Sequence, residues 1–253
     1  MTPDISARLT NVPQSKARGE FVLPALRIRN EGSESVTVSN RLNLVEGDVL
    51  VECTDPSGQR SELRGVITVD SLPRTVELSA GQWIESGLFL FYASDGFTFD
   101  TVGSYELRVG YHPDTSESPV FTDSVELRIT EPTDSETQAL AEQTMVDDVA
   151  RAIALCGLET DPAVVAGLST LGERFPDRPE GALARFVLAE LSDSDTVDLT
   201  DVFDRWGPTT TARWITALLS SEGGDEPTKR AYLDTLDRSE RMIRGEPVDD
   251  RQT

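Results

Sequence analysis

The chain has 253 residues and a formal net charge of -22; lysine occurs only at Lys16 and Lys229, and arginine supplies the rest of its 23 basic residues. That balance works against non-specific nucleic-acid binding, which needs basic groups to displace counterions from phosphates, and against adhesion to anionic membranes. No run of about 18 apolar residues occurs, so no spanning helix is expected. Met1-Thr2-Pro3-Asp4-Ile5 lacks the basic start and apolar core of a signal peptide, which predicts a cytoplasmic location.

From Leu26 onward the chain reads as strands. Leu26-Arg27-Ile28 and Val36-Thr37-Val38 alternate around the turn Asn30-Glu31-Gly32-Ser33. Val49–Cys53 follows and closes on Asp55-Pro56-Ser57-Gly58, and Val66–Val69, Thr75–Leu78 and Leu88–Tyr92 continue the series. Tyr105–Tyr111 and Val125–Ile129 alternate apolar and polar residues, the mark of half-buried antiparallel strands. About seven or eight short strands with Gly, Pro, Asn and Asp between them predict an antiparallel β-sandwich. It would occupy residues 1–131, enough chain to bury a core.

Asp100-Thr101-Val102-Gly103-Ser104-Tyr105 resembles the Asp-x-Gly-x-Tyr corner of immunoglobulin-like domains. One extra residue separates Asp100 from Gly103, and no cysteine stands two residues after Tyr105. The resemblance implies an immunoglobulin-like fold in which the Tyr105 hydroxyl bonds back to upstream backbone. The layout from Leu26 to Tyr111 is also similar to intracellular proteinase-inhibitor and fibronectin-like accessory domains. Asn30 after a strand, the Asp55–Gly58 turn and the Gly103-Ser104-Tyr105 strand carry that likeness, which speaks to fold more than to function.

Glu131-Pro132-Thr133-Asp134-Ser135 marks a boundary, beyond which the apolar period changes from two to about 3.6. Leu140, Val146, Val149, Ala150 and Ile153 lie close to one helical stripe, with Gly157 placed to cap it. Asp161-Pro162 supplies an N-cap and a first-turn proline for a helix carrying Val164, Val165, Leu168 and Leu171. Asp177-Arg178-Pro179 opens the next, with Leu183, Phe186, Val187 and Leu191. Trp214, Ile215, Leu218 and Leu219 mark another helix, and Tyr232, Leu233, Leu236 and Ile243 the last. An α-helical bundle is predicted over residues 132–246, with a polar tail over residues 247–253. Within it Leu171–Ala189, with Phe175-Pro176-Asp177 between helices, is similar to tetratricopeptide-like units. No second copy recurs at a fixed period, and an array needs about three.

Catalytic signatures are missing. His112 is the single histidine, between Tyr111 and Pro113 at a strand end, and reads as a loop residue without a Gly-x-Ser-x-Gly elbow. Cys53 and Cys156 fall in different predicted domains, which predicts free thiols, and one His with two dispersed Cys makes no closed zinc site. Asp193-Ser194-Asp195-Thr196-Val197-Asp198 fails as an EF-hand loop, having Val197 and Asp198 where an oxygen ligand and a glycine are needed. Phosphate-cradling glycine loops are absent as well. No catalytic residue, metal ligand or cofactor is expected.

The aromatic residues are the remaining signal. Leu88–Tyr92 lacks alternation and is predicted as a central core strand, with Trp83 before it and Phe97 and Phe99 after the turn Ser94-Asp95-Gly96. Exposed, Phe97 and Phe99 would either anchor a partner or wedge against the helical half. Trp206 and Trp214 flank the Gly207-Pro208 break and are either bundle core or a contact surface.

Carboxylates spread along the whole chain with lysine nearly absent resemble the proteins of salt-in halophiles, haloarchaea in particular; the alternative is an acidic protein of a high-GC mesophile. At about 1 M salt the Debye length falls to roughly 3 Å, so the self-repulsion of such a charge is screened. The sequence thus predicts a two-domain chain, β then α, that serves as a non-catalytic interaction or scaffold protein of a halophile. Its expected partner is another protein, met through Trp83, Phe97, Phe99, Trp206 and Trp214, with no nucleic acid and no membrane insertion. An envelope-associated accessory domain and a hydrolase relying on carboxylates alone are the alternatives.

Overall fold

The computed structural model describes residues 4–67, 75–113, 118–155 and 161–191. Its strands begin with β1 (Ile5–Thr10), β2 (Ser15–Ala17), β3 (Ala25–Asn30), β4 (Val36–Ser39), β5 (Val49–Thr54) and β6 (Arg60–Leu63). They continue with β7 (Thr75–Leu78), β8 (Trp83–Gly87), β9 (Tyr92–Ala93), β10 (Gly96–Phe97), β11 (Gly103–Tyr111), β12 (Val120–Phe121) and β13 (Val125–Thr130). Four helices follow among the described residues: α1 (Ser135–Thr144), α2 (Asp147–Ala154), α3 (Pro162–Arg174) and α4 (Pro179–Leu191). None of them is long and apolar enough to cross a membrane.

One sheet has the order β1-β3-β8, and a larger one runs β2-β13-β11-β5-β6 with β12 against the end of β11. All of these pairings are antiparallel except that of β2 with β13. The period-2 pattern dictates which face each strand buries. In β5 it turns Val49, Val51 and Cys53 inward, and β11 answers with Tyr111, Val109 and Leu107 directly opposite them. Leu26 and Ile28 of β3, and Ile84 of β8, bring the smaller sheet into the same apolar cluster. Asp55 builds the β5–β6 turn by accepting from the amides of Ser57 and Gln59, both at 2.8 Å.

Three strand expectations change. β4 pairs with β7, not with β3 across the Asn30 turn. The Asn30 side chain instead reaches over and donates to the carbonyls of Glu34 and Leu78, which fixes where the chain leaves β3. Val66 and Ile67 lie outside any strand, and Thr68 and Val69 lie outside the described residues. Leu88–Tyr92 is not one core strand either. Its regular pairing stops at Gly87, and the amides of Leu88 and Leu90 donate to the Pro24 and Val22 carbonyls. The reason is that this segment serves two cores at once. Leu88 and Leu90 join the cluster formed by the strands, while Phe89 and Phe91 belong with the one that the helices share.

The helical part follows its caps. Asp134 accepts from the Thr137 amide at 2.8 Å to start α1, and Asp161 accepts from the Ala163 amide at 2.7 Å with Pro162 opening α3. The single stripe expected from Leu140 to Ile153 is two helices. The chain is extended at Val146, which is 44% exposed, so the first helix ends before it and α2 starts anew with Val149, Ala150 and Ile153 inward. Gly157 and the two helices expected after Leu191 lie outside the described residues.

Candidate interaction surface

Two places in this architecture gather functional-looking side chains: the seam between strands and helices, and the outer face of the β1-β3-β8 sheet. At the seam, Gly19, Glu20 and Phe21 are clasped by α1, the first turn of α4 and Arg178 just before it. Gly19 has φ +95°, and a Cβ there would stand 2.5 Å from the Ala141 backbone, so only glycine permits the approach. Its carbonyl accepts from the Thr144 hydroxyl at 2.7 Å. Glu20 accepts from Arg178 at 2.9 Å, and Arg178 also donates to Glu136 at 3.0 Å. The Phe21 amide donates to Oε1 of Glu180 at 2.7 Å, and Glu180 is 1% exposed, with no hydrogen-bond partner on Oε2 among the described residues. Burial is the main cause that holds the Glu180 carboxyl above the usual carboxylate range. The Phe21 amide and the charge of Lys16 oppose it, and Glu20 adds to it.

Aromatic rings fill the rest of the seam. Phe21 packs on Phe91 with centroids 4.6 Å apart, and Phe97 meets Phe91 and Tyr92 edge-on at 5.6 and 5.1 Å. The Tyr92 hydroxyl donates to Asp147 at 2.7 Å; burial, then that bond, pushes its pKa up to about 12. Phe97 is thus half-buried against the cluster under the helices. Phe99 is 3% exposed and edge-on to Tyr105, so its ring belongs to the core and offers no face to a partner. The hydrophobic residues around it leave no room for the contact role expected of it. Trp206 and Trp214 lie outside the described residues.

Trp83 occupies the second place. Alternation turns Leu26 and Ile28 of β3 inward, which sends Arg27 and Arg29 to the opposite face of the sheet. Register sets Arg8 of β1 directly across from Arg27, and Trp83 of β8 directly across from Arg29. The Arg27 guanidinium lies over the Trp83 ring, 4.1 Å from its centroid, and its Nε donates to Glu85 at 2.9 Å. Arg29 is 3.8 Å from Glu31. Arg8 is exposed and has no ion pair among the described residues. Beside these residues is a surface hollow of 680 Å³, bordered on its far side by Phe121 and Asp123. Arg108 stacks over Phe121 at 4.2 Å. Two guanidinium groups thus lie over aromatic rings along this face, and the Ser6 hydroxyl donates to Glu31 at 2.7 Å on the same hollow.

Elsewhere several polar groups bond to one another within the fold. Arg41 and Asp48 form a buried two-point pair, at 2.7 and 2.6 Å, and Asp48 also accepts from Ser39. Tyr111 donates to the Ser39 carbonyl at 2.6 Å, and burial followed by the Asp48 charge raises its pKa. Cys53 is buried, with its thiol pushed up to about 12 by burial and then by Asp55, which disfavours the reactive thiolate. The His112 backbone amide donates to the Asp48 carbonyl at 2.8 Å. Among the described residues no three His, Cys, Asp or Glu side chains are gathered as a metal site.

No family model and no curated protein matches this chain. Solved structures give loose superpositions. A β-glucosidase from Listeria innocua aligns over 50% of this chain at 15% identity and a TM-score of 0.30, and this chain spans 16% of that enzyme. The sporulation control protein Spo0M from Bacillus subtilis aligns over 64% of this chain and 58% of its own, at 11% identity and a TM-score of 0.31. A CARDB domain from Pyrococcus furiosus aligns over 51% of this chain and 97% of its own, at 11% identity and a TM-score of 0.27. At such scores the likenesses carry no argument about what this chain does.

Sequence reasoning singled out Trp83 and passed over Arg8, Arg27, Arg29 and Phe121. The alternation of Leu26-Arg27-Ile28-Arg29 held the signal for two of them, because it sets both arginines on the face away from the core.

Proposed function

We propose that this chain is a non-catalytic recognition or scaffold protein that works in concentrated salt and docks a protein partner on the Trp83 face. The observation that carries the reading is the Arg27–Trp83 stack beside an open 680 Å³ hollow. Tryptophan and arginine are the side chains that dominate binding energy at protein contacts. Arginine held on a ring by Glu85 is also pre-ordered, so less entropy is lost when it binds.

The β half in this reading is an immunoglobulin-like sandwich. Two sheets, antiparallel but for the β2–β13 pair, share one cluster and support that, as does Tyr105, whose hydroxyl donates to the Thr101 carbonyl at 2.9 Å. The helices from Ser135 to Leu191 act as a flank to it, and α3 and α4, joined by a short turn at Phe175-Pro176-Asp177, are read as one tetratricopeptide-like hairpin. The acidic, lysine-poor composition adapts the surface to a salt-rich cytoplasm.

Affinity purification at molar salt from the native organism tests the reading, with wild type and Trp83→Ala as paired baits. A specific protein that copurifies with wild type and is lost with Trp83→Ala is the expected result. Repeated recovery of a lone monomer, or a partner retained in full by Trp83→Ala, would overturn it.

A further inference from the structure

The register of β1 on β3 places Arg8 and Arg27 side by side across the strands, with Arg29 two residues along. Like charges directly opposite each other destabilise a sheet. Here that arrangement occurs in a chain of net charge -22, where acidic residues would be the default neighbours. Arg27 is held by Glu85, and Arg29 stands near Glu31 at 3.8 Å. Arg8 has no carboxylate partner among the described residues. The hollow these arginines border carries three of them against the two acids Glu31 and Asp123, with Trp83 and Phe121 as its apolar walls. With Glu85 holding Arg27 beside it, the groove is aromatic-walled and charge-balanced on an acidic protein, and Arg8 is its cation without an ion pair among the described residues.

Resting on the reading of this face as a docking surface, we infer that its occupant is an acidic segment of a partner protein. Asp or Glu side chains of that segment bridge Arg8, Arg27 and Arg29, and its apolar side chains rest on Trp83 and Phe121. A carboxylate between Arg8 and Arg27 removes their mutual repulsion and gains charge-assisted, two-point hydrogen bonds. Stacking on rings keeps such bonds partly shielded from water, so they outlast the salt that cancels long-range attraction. Nucleic acid fits worse. Three arginines cannot track a phosphate backbone across a surface that is otherwise anionic.

The probe is a short synthetic peptide alternating glutamate and valine, compared with its glutamine-for-glutamate counterpart. Each is titrated calorimetrically into the full chain at about 0.5 M KCl, where the Debye length is still several ångströms, with folding checked by circular dichroism. The acidic peptide is expected to bind at least about tenfold more tightly than the amide peptide. The double variant Arg8→Glu/Arg29→Glu should weaken it by at least about tenfold, Arg8→Gln by less, and Arg64→Glu beyond β6 not at all. Equal binding of both peptides, no binding of the acidic one, or full binding by the folded double variant overturns the inference. So does a single-stranded oligonucleotide that outcompetes the peptide. Should the peptides fail while Trp83→Ala still loses the native partner, the docking face stands and only the acidic occupant is wrong. Should neither respond to changes on this face, both readings fall.

Discussion

Glu180 presents one oxygen to the Phe21 amide and the other to no partner among the described residues, in the first turn of α4 and almost wholly out of solvent. Its folded pKa is raised, and burial is the leading cause. The sign follows from linkage. The native state favours the neutral acid, so this group's contribution is fully present below its unfolded pKa and is lost as pH rises through the folded value. Glu180→Gln keeps an acceptor for Phe21 and removes the buried charge. It should therefore raise the unfolding midpoint at pH 7 and change it little at pH 4, as followed by thermal circular dichroism. Glu180→Ala leaves the Phe21 amide unpaired and should cost about 1–3 kcal/mol at both pH values. If Gln and Ala behave alike, the charge is not what matters there. None of this was legible in the sequence. In a chain with carboxylates everywhere, a glutamate after a helix-opening proline looks like any other first-turn acid. Only the approach of Phe21, far away in sequence, makes it a buried one.

Elements hold their shape through a few contacts that can be cut singly. The Tyr105 hydroxyl donates to the Thr101 carbonyl at 2.9 Å and receives the Thr101 amide at 3.2 Å. Tyr105→Phe keeps the ring against Phe99 and loses only those bonds, so a loss of about 0.5–1.5 kcal/mol in chemical denaturation is expected. At Gly181 the constraint is space. A Cβ there would sit 2.0 Å from the Phe175 carbonyl oxygen, which belongs to the turn joining α3 to α4. Gly181→Ala should therefore push α4 off that turn and cost about 3 kcal/mol, the upper end for overpacking, with loss of helical signal at lower temperature. The strands β5, β11 and β13 were legible because one buried face imposes strict alternation, and the starts of α3 and α4 because their prolines and aspartates act locally. β1, β2 and β6 carried no such signal. Ile5–Thr10 becomes a strand because β3 pairs with it, and Leu88–Tyr92 loses its regularity because it faces two cores at once. The candidate site divides the same way. Trp83 stood out by residue type, whereas the Arg8–Arg27 pair exists only through register between distant segments.

At the scale of the whole molecule, two properties set the response to conditions. The first is charge. At millimolar salt the carboxylates repel one another over tens of ångströms, and at molar salt hardly at all. The thermal midpoint should rise steeply with KCl, and a midpoint unchanged from millimolar to molar salt would contradict adaptation to a salt-rich interior. The second is the shared core. Phe21, Phe91 and Tyr92 of the strand region lie in one apolar cluster with Leu140, Ile153, Leu168, Leu183 and Phe186 of the helices. Strand and helix regions should then unfold together, giving one calorimetric transition with matching near- and far-ultraviolet midpoints. Two separated transitions would mean that the seam contributes little to stability.

That cluster also has a consequence for how each copy is made. The ribosome delivers Phe21 and Phe91 long before Leu183 and Phe186. At roughly 5–20 residues per second, each new chain spends several seconds with its greasiest patch bare, its strands complete and its covering helices still inside the synthetic machinery. The surface charge that keeps finished molecules apart does nothing for that patch. A nascent-chain chaperone, or a slow stretch of codons placed after α4 instead of before it, is where selection on this protein's yield would be felt.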